Sequence, residues 1–128
     1  MSTRKADANF RAGRLAKANQ FASAAHDVLD LAGEAQDVAD AFATLAVHAG
    51  IAAADVICSA RLGAYHHGDR HEDAIELVKK ADSEAAKSLS VLLGMKTLAG
   101  YGYTPVSTEK RVRAQRAMDA LVALANSV

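Results

Sequence analysis

Apolar residues recur along this chain at steps of three and four over most of its length, the spacing of one face of an α-helix. The first stretch carries Phe10, Leu15, Ala18, Phe21, Ala22, Ala25, Val28, Leu29 and Ala32, which predicts a helix over 7–32 with Gly33 as its C-terminal cap. A second helix is predicted over 35–62. One of its stripes reads Val38, Phe42, Leu45, Ala49, Ala52, Val56 and Ala60, and another reads Val47, Ile51, Cys58 and Leu62. Two adjacent apolar stripes imply a helix covered on much of its surface. Gly63, Gly68 and the polar run 66–71 end it. A third helix starts near Glu72, preceded by Asp69 or His71, with Glu72, Asp73 and Glu76 favoured by the helix dipole.

A break at Asp82 and Ser83 lets Ser83 cap a fourth helix through Leu89, Leu92, Leu93 and Met95. The glycines and proline of GYGYTP form a loop, and Ser107 or Thr108 caps a last helix carrying Val112, Met118, Leu121, Val122 and Leu124. The expectation is an all-α, up-and-down bundle of four to five helices in one domain, 1–128.

Composition agrees. About half of the 128 residues are apolar, at 51%, and alanine, the best helix former, dominates them. Formal net charge is zero, so no global field draws the chain to nucleic acid or to a membrane. A neutral chain is prone to self-association. Charge is nevertheless segregated. No lysine or arginine lies between Lys17 and Arg61, while 4–17 and 110–116 are basic. These basic patches either pair with acidic helix ends or contact phosphates. The lone Cys58 sits among Val56, Ile57 and Ala60 and reads as a small buried apolar residue. A single cysteine fits a reducing compartment. No signal-peptide core or membrane-spanning run is apparent, and a cytoplasmic location is expected.

The residue types that carry chemistry gather in 48–73, which holds four of the five histidines. Asp55 interrupts an apolar stripe, and such a carboxylate needs a partner arginine, a hydrogen bond or a ligand. His48, Asp55, Ser59 and His66 fall within about 40° of one another on an ideal helix, forming a polar seam able to relay a proton or offer two metal ligands. His66, His67, Asp69 and His71 form a loop cluster, but the pairs of His and Glu that bundle metal sites use are missing, so no metal or cofactor is expected. Arg61 is followed by His66 and His67. A guanidinium that stabilises charge on a phosphate, with an imidazole that moves the proton, suffices to cleave RNA without a metal. On a straight helix Arg61 and His66 diverge by about 140°, so they converge only if the helix ends near Gly63 or the site is shared between chains.

Over roughly 38–126 the chain resembles the HEPN-type helical proteins of prokaryotic toxin–antitoxin, defence and nucleotidyltransferase-associated systems. The resemblance rests on HAGIAAADVICSARLG, GDRHEDAIELV, LLGMKTLAGYG and STEKRVRAQRAMDALVALA. It implies a homodimeric bundle, with Arg61 as the phosphate-contacting residue and His66 or His67 as the motif histidine. It also implies an antitoxin or nucleotidyltransferase as partner protein, or an RNA. Active members often carry a polar residue directly after the arginine, where this chain has Leu62. The expectation is a non-catalytic binding or dimerisation module with His48, Asp55, Ser59 and His71 as binding residues. The alternative is a metal-independent endoribonuclease using Arg61 with His66 or His67 at a dimer cleft.

Overall fold

In the computed structural model, which describes residues 2–128, the chain is an all-α helical bundle with one small strand pair. A short strand β1 (Thr3–Lys5) precedes α1 (Ala8–Leu31). A 3₁₀ turn (Ala35–Val38) leads into α2 (Ala39–Leu62), and β2 (Ala64–His66) follows. The remaining helices are α3 (His71–Ala81), α4 (Ser83–Leu93), α5 (Lys96–Tyr101) and α6 (Thr108–Ser127).

Helix α2 is the axis of the bundle and contacts every other helix. By length and apolar content it could cross a membrane, but 67% of its most apolar window is buried within the protein. Most of what it buries is small: Ala39, Ala43, Ala46, Ala49, Gly50, Ala52, Ala53 and Ala54. Helix α1 packs mainly on α2 and buries Ala18, Ala22 and Ala25, so two alanine-rich surfaces approach closely. Larger side chains fill the remaining space. Phe42, Ile57, Leu89, Leu92, Met118 and Leu121 are almost wholly excluded from solvent, each worth about 1.5–3 kcal/mol of burial.

The helix ends follow local chemistry. The Asp7 carboxylate accepts from the Phe10 N–H at 2.7 Å and starts α1. Gly33 does not cap the other end. There Ala32 turns to an extended conformation and its N–H donates to the Leu29 carbonyl. Gly63 does end α2, at φ 68°, a left-handed conformation that a side chain disfavours. Asp82, rather than Ser83, caps α4 by accepting from the Ala85 N–H. Arg70, rather than Asp69 or His71, precedes α3. The start of the GYGYTP loop is helical, because α5 extends through Gly100 to Tyr101. Of Ser107 and Thr108, it is Ser107 that caps α6, its hydroxyl accepting from the Lys110 N–H.

The strand pair has no signal in the periodicity. β1 and β2 run antiparallel with Thr3 opposite His66, Arg4 opposite Tyr65 and Lys5 opposite Ala64. Phe10 stacks on Tyr65, with ring centroids 3.8 Å apart. The N-terminal segment is thereby fastened to the turn that follows α2. At the other end of the bundle, the Asp40 carboxylate accepts from the Val106 N–H, and the Gln36 amide donates to the Val106 carbonyl. These bonds hold the α5–α6 loop against the start of α2.

A Cβ placed on Gly50 would lie 2.3 Å from Leu92 Cδ1 and 3.3 Å from Leu121 Cδ1. Gly50→Val should therefore destabilise the fold by about 2–3 kcal/mol through overpacking, read as a lower urea midpoint. An unchanged midpoint would show that α4 and α6 do not close on α2 at this position.

Candidate functional site

A cavity of about 430 Å³ opens between α2, α3, α4 and the turn that joins β2 to α3. Its floor is apolar, built from Ile51, Ala54, Cys58, Val78, Leu89 and Leu93. Polar side chains gather around this floor: Asp55, His66, Asp69, Arg70, His71 and Lys96. The arrangement follows from where α2 stops. Because α2 terminates at Gly63 and the chain reverses through β2, the turn 67–70 folds back over the face of α2 that carries Ile51, Asp55 and Cys58. Gly68, at φ 133°, supplies a bend that a side chain would strain.

Asp55 is the buried acid of the cavity. Its side chain is 18% exposed, and Arg14 Nε donates to Oδ2 at 2.8 Å. The partner anticipated for this carboxylate is thus an arginine of the N-terminal basic segment. Burial pushes the Asp55 carboxyl up to about 6, although the charge and hydrogen bond of Arg14 pull it down. The neighbouring Cys58 thiol is pushed up to about 12 by burial and by the Asp55 charge. It stays protonated near neutrality and acts as an apolar lining group rather than a nucleophile.

The polar seam is not assembled as one helix face. His66 lies on β2, beyond the end of α2, and lines the cavity from the turn side. His48 is exposed and packs against Phe21 of α1, with ring centroids 5.7 Å apart. Ser59 donates its hydroxyl to the Asp55 carbonyl at 2.6 Å, a bond within its own helix, so it relays no proton to the cavity. His67 is exposed, and its backbone N–H donates to the Ser2 carbonyl.

Arg61 is committed elsewhere. Its Nη1 donates to the Ala81 carbonyl and to Asp82 Oδ2, each at 3.0 Å, clamping the end of α2 to the α3–α4 junction. The Ala85 N–H first, and then Arg61, hold the Asp82 carboxyl below its usual range. Of the seven candidate catalytic and binding residues, the cavity collects Asp55, His66 and His71, and with them Asp69 of the loop cluster, while Arg61, His67, His48 and Ser59 lie outside its lining. Among the described residues no three His, Cys, Asp or Glu side chains converge as metal ligands.

Sequence reasoning missed Arg70, Lys96, Leu89 and Leu93 of the lining. Ile51 and Cys58, one turn either side of Asp55, carried a usable signal. Lys96 and Leu89 carried none, because only the packing of α5 and α4 against α2 brings them to this place. No known protein family, curated protein or solved structure matches this chain.

The raised Asp55 carboxyl has a defined pH signature. Its folded pKa lies above the unfolded value of 3.8, so the folded state binds this proton more tightly. Its favourable contribution is complete below about pH 4 and is lost as pH rises through about 6. Asp55→Asn resembles the protonated form. Its melting temperature relative to wild type should therefore be higher at pH 7.5 than at pH 4.5, by the equivalent of about 1–3 kcal/mol. Calorimetry at the two pH values checks this, and a difference independent of pH would refute it.

Proposed function

We propose that this chain is a non-catalytic, HEPN-like helical binding module and that its ligand site is the cavity beside Asp55. The observation that carries the reading is the cavity itself. A space of about 430 Å³ with an apolar floor and a polar rim is the form that small-molecule sites take. The floor would take the apolar body of a ligand, while Lys96, His66 and His71 would orient its polar group. The protonated Cys58 and the arginine-bound Asp55 serve recognition better than bond making.

A second copy of the chain is the partner that the resemblance implies, and its exposed surface supports the proposal. Leu31, Tyr101 and Tyr103 are 87%, 84% and 99% exposed. Light-scattering chromatography at micromolar concentration should give a dimer, and a monomer would remove this part of the reading.

The competing ribonuclease reading needs Arg61 free to meet a phosphate. In this fold its Nη1 is engaged by the Ala81 carbonyl and Asp82 Oδ2, and neither His66 nor His67 is among its hydrogen-bond partners.

Two measurements separate the readings. The fluorescent probe 1-anilinonaphthalene-8-sulfonate should bind wild type saturably, at one site per chain. Ala74→Phe, which projects into the cavity, should abolish that signal while the thermal melt stays cooperative. Equal binding by both proteins would sink the cavity proposal. Incubated with bulk RNA, wild type and Arg61→Ala should both leave the substrate intact. Cleavage by wild type that survives EDTA, yields 2′,3′-cyclic phosphate ends and disappears in Arg61→Ala would establish the ribonuclease instead.

A further inference from the structure

Of the 15 lysines and arginines in the chain, three are half-buried: Arg14, Lys96 and Arg111. Arg14 meets Asp55, and Arg111 donates to Gln36. Lys96 is the exception. Among the described residues its ammonium has neither an ion-pair partner nor a side-chain hydrogen bond. The other cations without a partner, from Arg4 and Lys5 to Arg113 and Arg116 in a groove between α4 and α6, are exposed and keep their water. A half-buried ammonium has given up part of its hydration, and an anion brought beside it restores what was lost.

Lys96 lines the cavity, and the topology places it at one end. Arg61 bonds Asp82 at the end of α2, while Leu92 packs over Gly50. Helix α4 therefore runs antiparallel to α2, and Lys96, just beyond Leu93, lies toward the Ile51 end of the cavity. Helix α3 leads from His71 to the same Asp82 junction and packs on α4, so His71 lies at the end that Lys96 occupies. From Ile51 to Cys58 the floor follows two turns of α2, about 10 Å. It is aliphatic, with no phenylalanine or tyrosine among its described lining residues.

The remaining charges of the lining decide the sign and valence of a ligand. Asp55 is held by Arg14, and Asp69 is exposed on the turn. Neither leaves a buried negative charge for a cationic ligand to meet. Arg70 is 75% exposed and faces Asp73 at 3.9 Å, which leaves Lys96 as the single covered positive charge. An ammonium offers a point charge and three donors, enough for one carboxylate. A volume of about 430 Å³ is near the small end of the range for ligand pockets and suits one chain rather than two.

We propose, resting on the binding-module reading above, that the cavity takes a monocarboxylate with one aliphatic chain of medium length, its carboxylate on Lys96 and its chain along the aliphatic floor.

Isothermal titration calorimetry with octanoate, 1-octanol and octylammonium, which share a chain and differ in headgroup charge, tests the proposal. Octanoate should bind saturably at one site per chain, about tenfold more tightly than 1-octanol, with octylammonium weaker still. Lys96→Met should cost about tenfold in octanoate affinity and leave 1-octanol within about twofold, whereas Lys96→Arg should retain octanoate binding. Lys79→Met removes the same charge from an exposed turn of α3 and should leave octanoate affinity unchanged. If Lys96→Met melts early, Lys96→Gln replaces it with the same expected loss. Ala74→Phe should abolish binding of all three probes. Equal affinity for octanoate and 1-octanol, both lost in Ala74→Phe, would overturn the carboxylate proposal and leave the binding cavity in place. Octanoate binding unchanged in Lys96→Met, or a preference for octylammonium, would overturn it in the same way. So would no binding of the three probes while 1-anilinonaphthalene-8-sulfonate still binds. Loss of that probe as well, or octanoate binding that persists in Ala74→Phe, would remove the cavity reading together with the proposal.

Discussion

The close approach of α2 to its neighbours is the constraint on which the structure depends. Alanine and glycine along α2 remove the side-chain bulk that would hold helices apart. Leu92 of α4 and Leu121 of α6 occupy the space left at Gly50. A helix so enclosed cannot present a long polar stripe to solvent. Its inward-facing carboxylate, Asp55, persists because α1 gives it an arginine and the cavity gives it a partial opening.

The Asp55–Arg14 pair shows how such a carboxylate persists. An isolated buried carboxylate would be strongly disfavoured, and Arg14 offsets only part of that cost, leaving the carboxyl at about 6. The pair ties the second turn of α1 to the C-terminal half of α2, while the β1–β2 pairing and the Phe10–Tyr65 stack secure their ends. The C-terminal half of α2, which carries Asp55 and Cys58 of the cavity, is thus held to the N-terminal part of the chain by these contacts. A pre-formed site of this kind gives up little conformational freedom when a ligand enters, which favours a binding role.

Each basic region gives up one arginine to the fold, Arg14 to Asp55 and Arg111 to Gln36. The N-terminal segment runs into α1, which packs on α2, so Arg14 meets the Asp55 carboxylate. The α6 segment lies beside α4, whose nearest acid, Glu84, is already taken by Lys87. Balance over the whole chain conceals an imbalance at one groove. A chain of zero formal charge thereby combines a cavity with an apolar floor on one side of α4 with a groove on the other whose Arg113 and Arg116 have no ion-pair partner among the described residues.

Much of the architecture was legible along the chain. Helical periodicity and alanine content marked the all-α class, the burial of α2, the break at Asp82 and the Ser107 cap, because each depends on residues a few positions apart. Burial of Cys58 and the need of Asp55 for a partner were legible for the same reason, since both follow from neighbours on one helix. Tertiary structure alone decided which arginine meets Asp55, a choice across 41 positions. It placed His66 on a strand rather than on the α2 face, because α2 ends at Gly63, three residues before His66. It turned Arg61 to the α3–α4 junction, where two oxygen acceptors outcompete open solvent. Spacing fixes direction only while the helix continues. Beyond its end, the position of a side chain is set by what the rest of the fold packs against it.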